Sequence, residues 1–262
     1  MNTFPTANIH PEAKLASDVK VEAFATIHKD VEIGEGSWIG PNVVIFDGVR
    51  IGKNCKIFPG AVIGAAPQDL KYAGEETYVY IGDNVTVREF CTINKGTAAY
   101  GKTVVESDCL LMAYVHIAHD CHISEKCIIS NGVNFAGHVQ VGSNVIIGGL
   151  TAVQQFVRIG AHSFISGASK VRKDIPPYVK AARDPISYVG INHIGLERRG
   201  YSAETIQHIQ EIYRYLYVKG WNISKAIEYI ETSLPSSEEK EEIITFVKSA
   251  ERGLMKGFNS LS

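Results

Sequence analysis

The sequence lacks any strong excess of charge, and this absence argues against several classes of partner. Its 26 basic and 28 acidic residues leave a formal net charge of −2 and a pI near 6.5, so nothing in the overall charge predicts binding to nucleic acid or an anionic membrane. No apolar run reaches the ~20 residues of a membrane-spanning helix. The first residues, MNTFPTANIHPEAK, contain no apolar core of a signal peptide. We therefore expect a cytoplasmic protein without stable membrane insertion.

The dominant pattern is a large apolar residue at every sixth position. It occupies residues 9 to 63, 81 to 93 and 105 to 171, which gives twenty-five repeats of six residues. A smaller residue stands two positions before most of these, so inward-facing and outward-facing residues alternate as in a β-strand. Glycine or proline often follows the large residue, which indicates a turn in each repeat. The pattern predicts a triangular parallel β-helix of three repeats per coil, with roughly eight coils and a height of about 40 Å.

Cysteine is scarce, and its placement tests the register of the repeat. An odd number of cysteines can indicate a zinc site or a nucleophile. All five occupy the small inward position: Cys55, Cys91, Cys109, Cys121 and Cys127. We therefore predict free thiols that act as small buried apolar side chains, without cysteine chemistry.

Two insertions interrupt the repeat, at about residues 65–80 and 96–103. In the first, Asp69 and Glu75 fall on the six-residue spacing, and their charges do not suit an apolar interior. We expect both segments to be extruded as loops. Insertions into a repeat protein often gather on the binding face, although a loop that only shields an edge is the alternative.

The repeat predicts a three-part organisation of the chain. Residues 1–175 form the β-helix, residues 176–200 form a proline-bearing connector without either period, and residues 201–262 form a C-terminal helical domain. Between residues 170 and 199 there are seven basic and three acidic residues. This locally positive surface suits an acidic carrier protein or phosphate groups, with a merely solvated surface as the alternative.

Three short amphipathic helices are predicted at the C-terminal end. The first begins at Ser202 and the second lies around residues 224–231. Pro235, with a capping box of Ser236 and Glu239, opens the third. Their apolar faces are interpreted as packing surfaces and not as a cofactor site.

Four of the nine histidines lie between residues 116 and 138. His116 and His122 hold equivalent positions in successive repeats, which places them on adjacent faces of the prism. His119 and His138 are one coil plus one residue apart and are predicted to be neighbours. This geometry argues against a zinc site within one subunit. A metal shared between two subunits, and surface histidines without function, stay open.

His119 is the candidate general base. It follows the inward Ile117 by two residues, so it faces outward near a corner, and Asp120 beside it can orient the imidazole. An imidazole with a pKa near ~6.5 suits proton abstraction from a hydroxyl. One coil further, Gly137 can direct a backbone N–H at an oxyanion. These residues indicate acyl transfer without a protein nucleophile.

Four motifs add a family resemblance. They are QDLKYAGE (68–75), VHIAHDC (115–121), GGLTAVQQF (148–156) and NHIGLERRG (192–200). With these in order, nearly the whole chain closely resembles the UDP-N-acetylglucosamine O-acyltransferases of Gram-negative bacteria. The resemblance implies an all-β left-handed parallel β-helix with a C-terminal α-helical domain, and a homotrimer with active sites between subunits. It also implies transfer of a 3-hydroxyacyl group from acyl carrier protein to the glucosamine 3-hydroxyl of UDP-N-acetylglucosamine, which starts lipid A synthesis.

The resemblance also implies roles for individual residues. His119 is the general base, Asp120 is its partner and the Gly137 N–H stabilises the oxyanion. Sugar and nucleotide contacts map onto Asp69, Lys71, His116, His138, Gln155, Asn192 and Arg199. The acyl-donor contacts map onto Arg198, for the phosphopantetheine arm, and onto Gly149 and Gly167, for the acyl groove. No metal or other cofactor is expected, because the thioester is already activated.

Several positions depart from the family pattern. Gln154 replaces histidine, Ile194 replaces glutamate and Arg183 replaces glycine. His193 is a candidate to replace the lost glutamate contact. Phe164 and His162 lie near Gly167 in the sequence and can change the acyl groove, so the acyl length is not fixed.

Four alternatives compete with this function, and the first is disfavoured. A related N-acyltransferase needs a uridine-binding domain before its β-helix, for which the repeats, which start by residue 7, leave no space. Another nucleotide sugar, such as a 3-amino analogue, is a second alternative. A non-catalytic β-helix that binds carrier protein is the third. A zinc carbonic anhydrase, the fourth, requires stoichiometric metal.

Overall fold

The computed structural model describes residues 2–257 of the chain. The chain passes through three sheets in a fixed order, here named sheets I, II and III, and repeats that order in every coil. Neighbouring coils pair in parallel and in register, so Ile9 pairs with Ile27 and Ile27 with Ile45. The six-residue spacing therefore places identical side-chain positions above one another and confirms the predicted parallel β-helix.

The strands are short, and most contain two residues. Sheet I contains Asn2–Thr3, Lys20–Val21, Trp38–Ile39, Lys56–Ile57, Thr86–Val87, Leu110–Leu111, Ile128–Ile129, Ile146–Ile147, Phe164–Ile165, Val179–Ala182, Ser187–Ile191 and Lys256–Gly257. Sheet II contains Asn8–Ile9, Thr26–Ile27, Val44–Ile45, Val62–Ala65, Thr92–Asn94, His116–Ile117, Asn134–Phe135, Ala152–Val153 and Lys170–Val171. Sheet III contains Lys14–Leu15, Val31–Ile33, Val49–Ile51, Tyr78–Ile81, Lys102–Val105, His122–Ile123, Gln140–Val141 and Arg158–Ile159.

The corners between sheets, named I–II, II–III and III–I, share one backbone conformation. The residue at the end of each turn commonly has a positive φ, as at Asn42 (57°), Asp120 (59°) and His138 (62°). This left-handed conformation is uncommon for residues other than glycine, yet it recurs here at the same position of most repeats from Phe24 onward. It lets the chain change direction after each short strand while the side chains at the corner remain outside the prism.

The inward-facing residues form one apolar core along the axis. Ile39, Ile45, Ile57 and Ile63 are fully buried and stand in register with their neighbours. All five cysteines are free and buried within this core. The prediction that they act as small apolar side chains is confirmed.

The segment 176–200, expected as an irregular connector, contains regular structure. Strand Val179–Ala182 continues sheet I in parallel, and strand Ser187–Ile191 pairs with it in antiparallel. A short helix follows, His193–Arg198. The alternation that marks the first strand covers only four residues, which is too short a period to recognise in the sequence.

The C-terminal helices are Ala203–Tyr213, Ile223–Ser233 and Glu238–Lys248, with a π-helical segment, Arg214–Val218, continuing the first. The first helix starts one residue after the predicted Ser202, which caps it by accepting from the Thr205 N–H.

The predicted capping box of Ser236 and Glu239 is wrong. Ser237 caps the last helix by accepting from the Lys240 N–H, because its extended backbone places the hydroxyl over that donor. Among the residues that the structure describes, no helix is long and apolar enough to cross a membrane.

The aligned core gives a stability test. Ile57 is fully buried between Ile39 and Val87 of the neighbouring coils, whereas the adjacent Lys56 points outward and is exposed. We expect Ile57→Ala to reduce the free energy of unfolding by about 2–5 kcal/mol because it leaves a cavity. Lys56→Ala, the control, should have little effect. Thermal unfolding midpoints at one fixed protein concentration check this, and equal losses in both variants would contradict the assigned register.

Candidate active site

Corner II–III gathers most of the predicted site residues. Both insertions leave the prism there, because residues 66–77 and 95–101 each connect a strand of sheet II to a strand of sheet III. His119 and Asp120 occupy the same corner in the next coil, after strand His116–Ile117. The two loops therefore reach the candidate catalytic residues from the neighbouring coils.

His119 lies outside the apolar interior, as predicted, but the loops bury it to 6% exposure. Its Nδ1 lies 2.8 Å from Oδ2 of Asp120. Its Nε2 lies 3.9 Å from Oδ2 of Asp69, which belongs to the first loop. The imidazole is thus held on one side by a hydrogen bond and faces a second carboxylate with its other nitrogen.

Asp120 fixes the protonation pattern of His119. Thr97 donates to both of its oxygens, through its N–H at 3.0 Å and its hydroxyl at 2.6 Å. Burial alone raises the pKa of Asp120, but the hydrogen bonds from Thr97 and His119 outweigh it and lower that pKa. Since an ionised carboxylate only accepts hydrogen bonds, Nδ1 of neutral His119 carries the proton and Nε2 presents its lone pair.

The His119 ring packs directly against the backbone of Gly137. A Cβ at Gly137 would lie 2.5 Å from Cε1 and 2.6 Å from Nε2 of that ring, so only glycine leaves the imidazole its space. Within residues 2–257, the Gly137 N–H meets no hydrogen-bond acceptor. The corner therefore brings a basic nitrogen and an unused backbone donor together.

His138 forms the next wall of the site. Its ring lies 5.0 Å from that of His119, which confirms that the two are neighbours, and its Nε2 lies 3.7 Å from Asp120. It stacks on Phe156 at 4.6 Å and meets the edge of Tyr100 at 5.2 Å. Burial lowers the pKa of His138, and so does His119, while Asp120 acts in the opposite direction.

His116 and His122 occupy adjacent faces of the prism, as predicted. His116 lies on sheet II, with its Nδ1 2.7 Å from the Thr92 hydroxyl, and burial lowers its pKa. His122 lies on sheet III and pairs with Glu106 at 2.7 Å. His116 and His122 therefore lie on the two sheets that flank corner II–III.

The remaining residues of corner II–III come from the first loop and the last coils. The Lys71 N–H donates to Asp69 at 3.0 Å, while the Lys71 side chain is exposed. The carbonyl of Gln155 accepts from Arg252 at 2.8 Å, and the guanidinium of Arg252 lies 5.5 Å from the ring of Phe156. The C-terminal segment thus supports the wall on which His138 stacks.

Sequence reasoning missed four residues of this corner: Thr97, Tyr100, Phe156 and Arg252. Phe156 carried a detectable signal, because it stands one coil, or eighteen residues, after His138 at the same position of its repeat. Thr97 and Tyr100 lie in a loop without a period, and Arg252 is far away in the sequence. Nothing local indicated where those three would meet the site.

Two of the predicted sugar and nucleotide contacts lie at a different corner. The Asn192 side chain donates to the carbonyl of His162, and that of Arg199 donates to the carbonyl of Asn144, both at 2.8 Å. Asn144 and His162 are turn residues of corner III–I. Within one subunit the structure therefore does not bring Asn192 and Arg199 to His119.

The predicted acyl-donor residues are also separate from His119. Gly149 and Gly167 lie in successive turns of corner I–II, where a Cβ at Gly167 would be 3.1 Å from the carbonyl oxygen of Gly149. Arg198 ends the helix His193–Arg198 and is exposed. The predicted site residues therefore occupy all three corners of the prism.

The positions that depart from the family pattern are mostly on the surface. Gln154 is exposed, and Ile194 is 63% exposed. His193, the candidate to replace the lost glutamate contact, pairs with Glu197 at 3.2 Å. Arg183 has a φ of 81°, in the left-handed region that glycine adopts more readily.

His119, Asp120 and His138 also form a group of potential metal ligands within one subunit, with ligand atoms within 4.8 Å of one another. The sequence reasoning had argued against such a group. The fit is poor, because Nδ1 of His119 and Oδ2 of Asp120 are bonded to each other and Thr97 also donates to Oδ2. A metal that used these atoms would have to break those hydrogen bonds.

Comparison with known proteins decides the family. Residues 174–255 match the family model described as Udp N-acetylglucosamine O-acyltransferase, Domain 2, and residues 12–47, 30–65 and 102–137 match Bacterial transferase hexapeptide (six repeats). An acyl-(acyl-carrier-protein)–UDP-N-acetylglucosamine O-acyltransferase from Stenotrophomonas maltophilia (strain R551-3) is 46% identical over 96% of this chain and 97% of its own. The chain belongs to the UDP-N-acetylglucosamine O-acyltransferase family.

Solved structures agree with this membership. A UDP-N-acetylglucosamine acyltransferase from Bacteroides fragilis has 47% identity and a TM-score of 0.95, covering 97% of this chain and 99% of that one. One from Arabidopsis has 30% identity and a TM-score of 0.85, covering 96% and 99%. The predicted fold, a left-handed parallel β-helix with a C-terminal helical domain, is confirmed.

The contact between Gly137 and His119 can be tested directly. We expect Gly137→Ala to reduce acyltransferase kcat by about 10²-fold, because the methyl group displaces the imidazole from its reacting position. Ala136→Ser adds one atom to the exposed neighbour and should leave kcat nearly unchanged. Steady-state rates, together with thermal midpoints to verify folding, provide the comparison. Full activity in Gly137→Ala would show that the ring does not rest on this glycine.

Proposed function

We propose that this protein transfers a 3-hydroxyacyl group from acyl carrier protein to the glucosamine 3-hydroxyl of UDP-N-acetylglucosamine, the reaction that starts lipid A synthesis, and that it does so in the cytoplasm. Relatives that are 46% identical over nearly the whole chain are named for the acyl-carrier-protein-dependent transfer. The observation that supports the mechanism is the geometry of His119. Its Nδ1 is hydrogen-bonded to Asp120, and its Nε2 lies beside Gly137.

In the proposed reaction, Nε2 of His119 removes the proton of the sugar 3-hydroxyl as its oxygen attacks the thioester carbonyl carbon. The Gly137 N–H donates to the oxyanion of the tetrahedral intermediate. Collapse of that intermediate breaks the carbon–sulfur bond, and His119 returns its proton to the departing thiolate. The ionised Asp120 stabilises the imidazolium that exists between these two steps.

The sugar is proposed to lie against corner II–III. Asp69 and Lys71 approach from the first loop, His116 from sheet II, and His138 and Gln155 from the following coils. These side chains offer charged and hydrogen-bonding groups around the His119 nitrogen, as recognition of a sugar with many hydroxyl groups requires. Residues 1–175 therefore supply the reacting groups.

We further propose that the active protein is a homotrimer whose sites lie between subunits. Asn192 and Arg199, expected among the sugar and nucleotide contacts, lie at corner III–I, and Gly149 and Gly167, expected in the acyl groove, lie at corner I–II. One prism cannot turn all three corners towards one substrate, but neighbouring subunits around a threefold axis can face one another with different corners. Arg198, exposed beside Arg199, is proposed to meet the phosphopantetheine arm.

The first experiment measures transfer from a panel of 3-hydroxyacyl carrier protein thioesters to UDP-N-acetylglucosamine, in buffer treated with a chelator. We expect His119→Ala to reduce kcat by about 10²–10⁴-fold, since it removes general-base catalysis. His122→Ala is the matched control, because it deletes the same ring from the adjacent face. The preferred donor also gives the acyl length.

Two results would overturn this reading. Wild-type activity that disappears with the chelator and returns with zinc would favour a metal centre at His119, Asp120 and His138. Wild-type protein that binds the carrier protein but transfers nothing, either to this sugar or to a 3-amino analogue, would favour a binding module.

The shared site predicts complementation between two inactive variants. His119→Ala and Arg199→Ala damage different corners, so an interface that takes its intact His119 from one variant and its intact Arg199 from the other is complete. Random mixing should restore about one quarter of the sites. Co-refolded mixtures are compared with each variant refolded alone, and mixtures that remain as inactive as the separate variants would show that each subunit works independently.

A further inference from the structure

Glu75 joins the two loops that cover the candidate active site. Its Oε2 accepts from the Ala73 N–H at 2.8 Å within its own loop. Its Oε1 accepts from the Ala98 N–H at 3.0 Å in the other loop. The Tyr72 hydroxyl also donates to the backbone carbonyl of Glu75, at 3.1 Å. A single carboxylate therefore connects segments 66–77 and 95–101, which leave the prism from different coils.

Each of these loops controls one side of the His119 ring. The first carries Asp69, whose carboxylate lies 3.9 Å from Nε2. The second carries Thr97, which donates twice to Asp120, the residue bonded to Nδ1. Ala98, whose N–H donates to the Glu75 carboxylate, directly follows Thr97 in the chain. The contacts are therefore continuous from Glu75 to the imidazole.

We propose that Glu75 is a positioning residue for the acyl transfer, which locks the two loops together so that Asp69 and Asp120 converge on His119 from opposite sides. This inference rests on the proposed function. Glu75 is not proposed to touch either substrate. Its effect passes through Ala98 and Thr97 in one loop and through the turn that carries Asp69 in the other.

The chemistry of a carboxylate suits this position. Hydrogen bonds from backbone N–H groups, those of Glu75 itself and Ala73 first, lower the pKa of Glu75, while burial opposes them. The ionised side chain thus accepts with both oxygens. A glutamine of the same shape has one acceptor oxygen, and its NH₂ group would face a backbone donor. Glu75→Gln therefore loses one of the two hydrogen bonds and the charge that strengthens both, without changing the size of the side chain.

Glu76→Gln is the matched control. Glu76 is the next residue in the same loop and is exposed, and its side chain accepts from the hydroxyl of Tyr78, which begins the following strand. The same chemical change is thus made one residue away without touching the second loop.

The kinetic test measures kcat and both KM values. We expect Glu75→Gln to lower kcat/KM for UDP-N-acetylglucosamine by about 10- to 100-fold, because a small displacement of reacting groups is costly. The KM for the acyl donor and the thermal midpoint should not change, and Glu76→Gln should behave as wild type. A uniform loss in both variants, or no loss in Glu75→Gln, would overturn the proposal.

A double-mutant cycle tests the route. Thr97→Val removes the hydroxyl that holds Asp120. Because Glu75 acts through the same loop, its effect and that of Thr97→Val should not add, whereas Glu76→Gln and Thr97→Val should add. Additive effects of Glu75→Gln and Thr97→Val would contradict the proposed connection.

Hydrogen exchange separates this inference from the proposed function, since it needs no activity. In Glu75→Gln the peptide that covers residues 95–101 should exchange faster than in wild type or in Glu76→Gln. Unchanged exchange would overturn the lock even in an active enzyme. If Glu75→Gln exchanges faster but the wild-type protein shows no acyl transfer, the loop connection is retained and the proposed function is overturned.

Discussion

The structure depends on the turn that ends each six-residue repeat. Strands of two or three residues are too short to be stable alone, so they persist only when each coil pairs with the coils on either side. That pairing depends on corners that turn alike, and at most of them a residue with positive φ makes the turn, even where it is Asp120 or His138. The strain at these residues is offset by the buried aliphatic core beside them.

This repetition also explains why the site lies at a corner. Side chains that point inward form the apolar core, and side chains that point outward from the strands lie on the open faces of the prism. Corner residues remain outside the prism, and insertions can enter there without disturbing the register of the coils. Both loops do so at corner II–III, where they bury His119 and Asp120 that the β-helix alone would leave open to water. Burial strengthens the Asp120 contacts, because fewer water molecules compete for them.

The proposed chemistry depends on one ionised carboxylate that is buried. Asp120 tolerates burial because Thr97 and His119 satisfy its oxygens. Its charge determines which nitrogen of His119 is protonated, and Gly137 leaves the space that the imidazole ring occupies. Acyl transfer from a thioester requires little beyond this base, a donor for the oxyanion and accurate positioning.

The sequence by itself determined the β-helix, its buried cysteines, the two loops and the proximity of His119 to His138, because each follows from a period that is visible in the residues. The resemblance extended this to a family that the comparisons confirm. The strands in residues 176–200 and the cap at Ser237 could not be predicted, since their patterns are too short. Only the tertiary structure decided that Thr97, Glu75 and Arg252 lie around the candidate site, and that Asn192 and Gly167 lie at other corners. Those relations depend on how loops and distant segments fold back in space, which no local period encodes.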